Sequence, residues 1–216
     1  MFWSGSDDGC RGYESIHLGS GLVPVLDGGR SAFRVDYRPE VQFGQNYSLQ
    51  DGARRPVAYP LVRGHGLSFL ARYTGYLENQ DVTKLDRDAQ LAYWLNVRNL
   101  LVVQAIADLG PGSDIAQDRG TADQLGPVWT QPRFTIGDVT GSIDDIERRI
   151  LIKGWDDTRI LYGLYQGTVN GPAFSAMAFE AQAVYAQLDG AAKQFVNSRA
   201  GVRVSRGKAR ISPIFS

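Results

Sequence analysis

The chain has 216 residues, of which 43% are hydrophobic and 21% charged, and its 23 Lys plus Arg balance 23 Asp plus Glu. These proportions describe a globular domain long enough to bury a core without disulfides or metals, and the zero balance argues against a nucleic-acid or polybasic membrane binder, which needs clustered positive charge. One cysteine and two histidines exclude an intrachain disulfide and a thiolate zinc site, and leave metal sites and cofactors without a signature.

Residues 1–30 are rich in Gly, Ser and Asp and read as loop with short strands. Their first residues lack the basic and apolar regions of an intact signal peptide. Residues 32–37 alternate with period two, so Phe33, Val35 and Tyr37 share a sheet face until Pro39. Six Gly and Pro residues between 44 and 66 oppose long regular structure, and a short helix follows at 67–79. The domain reading is a loop-rich extension over 1–66, packed on a main domain over 67–216.

The strongest helical signal is 84–109, with Thr83 and Asp86 as a capping-box variant and Gly110-Pro111 as the stop. From Leu91 onward it is apolar almost all round, which predicts a helix through the middle of a core. No apolar run reaches the ~18 residues of a membrane span. Residues 110–133 read as a surface connection. Phe134–Ile136 and Val139-Thr140 read as short strands around Gly137-Asp138. Ser142 with Asp145 is a capping box for a helix to Ile152 that buries Ile143, Ile146, Ile150 and Leu151 and turns Glu147, Arg148 and Arg149 elsewhere. Residues 159–165 read as a buried strand, 175–198 as a helix broken near Asp189-Gly190, and 202–212 as a hairpin around Arg206-Gly207-Lys208. The fold class is α+β, a buried central helix packed on a small, mostly antiparallel sheet. Tyr73, Tyr76, Tyr93 and Trp94 read as core.

Five segments from residue 67 onward carry a family signature. Leu91-Ala92-Tyr93-Trp94-Leu95-Asn96-Val97-Arg98-Asn99-Leu100, Gly141 to Arg148, Asp157 to Pro172, Leu188 to Asn197 and Ile211 to Phe215 resemble, in order, the motifs of the domain of unknown function 547 family. The resemblance implies a fold near the papain-like or transglutaminase-like group, and, from exported bacterial relatives, an envelope or secreted location. The departures are specific. The family's histidines fall on Arg148 and Leu161, its two cysteines on Gln166 and Gly171, and a tyrosine on Arg98. Glutamine does not replace a thiolate nucleophile, nor arginine a general base at neutral pH.

Two readings follow. In one, the chain is a non-catalytic family member that binds a small molecule, peptide or protein, without nucleic acid as a partner. In the other, a hydrolase or transferase site is rebuilt with Glu147 as acid or base and Arg98, Arg148 and Arg159 as anion stabilisers. Asn96 and Asn99, three apart on one helix face, suit either a substrate amide clamp or hydrogen bonds to neighbouring backbone, the latter favoured because buried amides need partners. Arg98 needs a partner such as Glu147, Asp144 or Asp145. Gln166 opens a Gly-rich turn without phosphate-loop spacing. Cys10 with His17, and His65, are weaker reactive candidates.

Overall fold

A computed structural model of the chain describes residues 57, 59, 62–109, 125–168, 170–175, 177–212 and 214, without the side chain of His65, and the backbone of 22–27 and 30–35. The elements run as follows. An antiparallel hairpin pairs β1 (Leu22–Asp27) with β2 (Arg30–Val35). A π-turn at Val62–Gly66 leads into α1 (Leu67–Glu78), and a 3-10 turn at Val82–Lys84 into α2 (Arg87–Leu109). The one-turn helix α3 (Pro127–Thr130) precedes the hairpin β3 (Phe134–Ile136) and β4 (Val139–Gly141). Then come α4 (Asp145–Ile152), continued by Lys153–Trp155, the one-turn α5 (Ile160–Gly163), α6 (Val184–Val196), and the hairpin β5 (Val202–Ser205) with β6 (Lys208–Ile211).

This is an α+β architecture. Among the described residues the strands pair only within their own hairpins, and the central helix does not rest on one sheet. It is buried instead by α1, α4, the Ala181–Ala183 turn and α6. The all-round apolar character of α2 dictates this: fourteen of its residues are buried, on every side from Leu91 to Ala107. Each large aliphatic side chain enclosed in this way contributes roughly 1.5–3 kcal/mol. Just before residue 67, Val62 is fully buried in the same core, and Arg63 donates to the Ala107 and Ile106 carbonyls at 3.1 and 3.4 Å.

Local signals explain most boundaries. Asp86 caps α2 itself, accepting from the Ala89 N–H at 2.8 Å, while Asp81 caps the turn before it through Thr83. The helix therefore starts at Arg87 rather than 84. The Ser142–Asp145 box forms as expected: the Ser142 N–H donates to Asp145 at 2.9 Å and the Asp145 N–H to Ser142 Oγ at 3.1 Å. The Ser142 hydroxyl also donates to Asp145 Oδ2 at 2.7 Å, and this bond, with that of the Ser142 N–H, holds the Asp145 carboxyl below its usual range. The Arg206-Gly207 turn has positive φ at both residues, 50° and 72°, as a two-residue hairpin requires.

Several expectations need correction. The segment 159–165 is a helical turn, not a strand. Asp157 accepts from the Arg159 N–H at 2.9 Å and starts the turn, and among the described residues no strand pairs with it. The helix near the C-terminus starts at Val184, not 175, and runs unbroken through Asp189-Gly190, because a single interior glycine is tolerated. Glu147 is buried, 8% exposed, with Ile146 and Leu151. It sits four residues after the buried Ile143 and four before Leu151, and α4 is π-wound, so positions four and five apart share a side. Tyr76 is an exposed aromatic rather than core. Of the strand at 32–37, residues to Val35 lie in β2, and Tyr37 lies outside the described residues, as do residues 110–124 of the connection read over 110–133, whose described remainder holds α3 with Val128 and Trp129 buried rather than on the surface.

Candidate functional site

Arg98 lies at the middle of α2 with no exposed surface. An unpaired guanidinium there would be prohibitively desolvated, so its neighbours are the first thing to account for. One terminal nitrogen, Nη2, donates to Glu147 Oε2 at 2.6 Å, and the Glu147 side chain is only 11% exposed. The other, Nη1, donates to Asn99 Oδ1 at 3.2 Å and to the Tyr165 carbonyl. Gln166 Oε1 is a further, longer acceptor at 3.4 Å from Nη2. The guanidinium carbon stands 5.7 Å from the centre of the Trp129 ring, within cation–π range. The planar fork suits arginine, since lysine offers only a point charge on a flexible stem.

The two asparagines beside it act on backbone. Asn96 donates to the Phe179 carbonyl and accepts from the Phe179 N–H, both at 2.9 Å. Asn99 donates to the Gly163 carbonyl at 2.8 Å and accepts from the Tyr165 N–H at 2.9 Å. Each amide therefore supplies the pair of bonds that a neighbouring strand would give. Together with Arg98 they stitch the irregular segments 163–166 and 178–179 to the central helix. Gly163 permits this approach: a Cβ there would lie 2.7 Å from Leu188 Cδ2 and 3.1 Å from Phe179 Cζ.

The structure brings together Arg98, Asn99, Glu147 and Gln166 from the predicted set. It does not bring in the other two arginines. Arg148 is exposed and pairs with Asp144 at 2.6 Å, one turn back on its own helix. Arg159 grips Asp157 through Nε and Nη2 at 2.7–3.1 Å and Asp189 through Nη1 at 3.0 Å, over the Tyr185 ring. Its guanidinium holds the Asp157 carboxyl below the ordinary carboxylate range. Charges expected to converge are thus divided among four carboxylates at three separate places.

Positions 166 and 171, where the family pattern carries cysteines, face each other. A Cβ on Gly171 would lie 2.9 Å from Gln166 Cβ, across a turn closed by the Gly171 N–H on the Thr168 carbonyl at 3.3 Å. Leu161, at a histidine position, packs against the core. Cys10 and His17 lie outside the described residues, and His65 falls in the Val62–Gly66 turn.

Asn96 and Asn99 also border a cleft with Leu100, Phe174, Met177 and Phe179. It has room for no more than about one water molecule, and Met177 at its rim is 48% exposed. Among the described residues no group of three His, Cys, Asp or Glu side chains is placed to hold a metal, and no helix is long and apolar enough to cross a membrane. Sequence reasoning missed Trp129 and the Tyr165 carbonyl. Gly126-Pro127 is a helix-start signal that could have lifted Trp129 out of the supposed connection; nothing local marks the carbonyl.

Comparisons with curated proteins and with solved structures give no match. The family model described as "Protein of unknown function, DUF547" matches residues 82–196, from the turn before α2 to the end of α6. That span holds Arg98, its partners and more than half of the 216 residues, and the chain accordingly belongs to the domain of unknown function 547 family.

Proposed function

We propose that this chain is a non-catalytic member of its family, working as a ligand- or protein-binding domain. One observation carries the reading: the motifs meet at an ion pair already occupied by its own partners. Arg98 is spent on Glu147, Asn99, Tyr165 and Gln166. Positions 148, 161, 166 and 171 hold Arg, Leu, Gln and Gly, and none of these supplies a nucleophile or a base at neutral pH. The rebuilt-enzyme alternative requires Glu147 and three arginines around one substrate, and their separate pairings do not favour it. The cleft beside Asn96 and Met177 is the natural place for a ligand, which would seat by displacing the Phe174–Met177 segment.

Turnover assays with amide, peptide and acyl-transfer substrates test the first part. No turnover is expected, and robust turnover lost in Arg148→Ala or Gln166→Ala overturns the reading. Met1 and Met177 are the two methionines of the chain, so a methyl-labelled spectrum has one reporter on the cleft. A ligand bound there shifts the Met177 signal; a ligand that binds and leaves it unmoved places the site elsewhere.

A further inference from the structure

From residue 190 onward the sequence carries six basic side chains, from Lys193 to Arg210, and no Asp or Glu. The zero net charge is therefore an average over two unequal parts. Four of the six, Arg203, Arg206, Lys208 and Arg210, lie on the β5–β6 ribbon, and all four are exposed. Among the described residues no carboxylate pairs with any of them.

The register sorts the ribbon into two unlike faces. Arg203 stands opposite Arg210 and Ser205 opposite Lys208; Val202 stands opposite Ile211 and Val204 opposite Ala209. Because side chains alternate along a strand, the first four residues share one face and the second four the other. Val204 is 73% and Ile211 59% exposed, and Ala209 is exposed with only Val202 half-buried, so the apolar face is largely open.

Two choices run against the ribbon's own stability. Like charges directly across an antiparallel pair are destabilising, yet Arg203 faces Arg210. Arg206 takes φ 50° at the turn, where Asn or Gly is preferred. The ribbon's base is nonetheless fixed. Gly201 packs so closely on the end of α6 that a Cβ would lie 2.2 Å from the Phe195 carbonyl oxygen, and Ser212 N–H closes onto the Gly201 carbonyl at 2.8 Å.

We propose that the β5–β6 ribbon is a docking surface for an anionic lipid bilayer. Its Val202–Val204–Ala209–Ile211 face sits at the level where acyl chains begin, and its four basic side chains reach back to headgroup phosphates. The bilayer interface offers both environments within the length of one side chain. A nucleic-acid duplex would neutralise the basic face and leave the apolar face in water. A second copy would have four small or medium side chains to bury, far short of the about 800 Å² per partner of a stable interface. This inference does not depend on whether the domain is catalytic.

The test is sedimentation of the full chain with vesicles of phosphatidylcholine alone and of phosphatidylcholine with phosphatidylglycerol in equal parts. Binding to the mixed vesicles alone is expected, weakening as salt is raised. Each basic residue near an anionic surface is worth roughly a factor of five, so R203Q/R206Q/K208Q/R210Q should lose more than tenfold in affinity. V204S/I211S keeps the charge and should lose several-fold, which a purely electrostatic contact would not show. Equal binding to neutral vesicles, unchanged binding in either variant, tighter binding to a DNA or RNA duplex than to anionic vesicles, or a dimer dissolved by V204S/I211S each overturns the proposal. Val204→Trp leaves the charge pattern intact, and a blue-shifted fluorescence with mixed vesicles is expected; no shift also overturns it.

Discussion

Arg98 and Arg159 have similar bonding and opposite settings. Each meets carboxylate oxygen at 2.6–2.7 Å and each lies over an aromatic ring. The Arg98 side chain is wholly enclosed, whereas that of Arg159 is 37% exposed. Around Arg98 the protein, not water, supplies the bonds to both terminal nitrogens. Around Arg159 water remains a partner and screens the attraction. Hydrogen-bond count therefore does not rank the two; the medium does.

The largest expected effect follows from breaking the enclosed pair. Arg98→Met leaves Glu147 buried without its cation, and about 3–5 kcal/mol of stability is expected to be lost in urea unfolding. Adding Glu147→Leu removes the stranded charge and should recover part of that loss. Recovery stays incomplete, because the Tyr165 carbonyl also loses its Arg98 donor, and Asn99 Oδ1 keeps only its bond from the Tyr165 N–H. Full recovery would mean that Arg98 serves Glu147 alone.

Smaller effects separate the stitching bonds from the charge. Asn99→Ala strands the Gly163 carbonyl and the Tyr165 N–H and is expected to cost roughly 1–3 kcal/mol per group left unmet, seen also as faster hydrogen exchange at Tyr165. Gly163→Ala forces a methyl against Leu188 and Phe179 and should cost about 1–3 kcal/mol by overpacking. If both are silent, the 163–166 segment is not held by α2.

The same contrast governs what the sequence disclosed. The enclosing helix, the Ser142–Asp145 box and the Arg206-Gly207 hairpin were legible because each rests on spacing within a few residues. Arg98 announced its need for a carboxylate, since a cation amid Leu95, Val97 and Leu100 has no other recourse. Which carboxylate was less plain. Glu147 shares the i, i+4 row of Ile143 and Leu151, but its charge argued for the outside, and only Arg98, 49 residues earlier, reverses that. The turn at 160–163 was hidden for a related reason: Ile160-Leu161-Tyr162 has strand composition, Asp157 marks only its start, and the bond that fixes its end comes from Asn99, 64 residues away. Interactions across such separations leave no local pattern.

The smallest effect belongs to the exposed arginine, and its pH dependence gives it a signature. Asp157 ionises more readily in the fold than in the unfolded chain because the Arg159 guanidinium bonds its carboxylate. A carboxyl with a depressed folded pKa stabilises above its unfolded value of about 3.9, and that stability is lost as pH falls through the folded value. Arg159→Ala should therefore lower stability at neutral pH only slightly, with the gap to wild type closing below pH of about 4 and also in high salt. Acid sensitivity is not abolished, because Asp145 remains depressed through its bonds to Ser142 and not through Arg159. Urea midpoints across that pH range for Arg159→Ala and Asp145→Asn separate the two sources. A gap for Arg159→Ala that persists undiminished in acid would mean its loss is one of packing over Tyr185, and the surface pair would then resemble the buried one in kind.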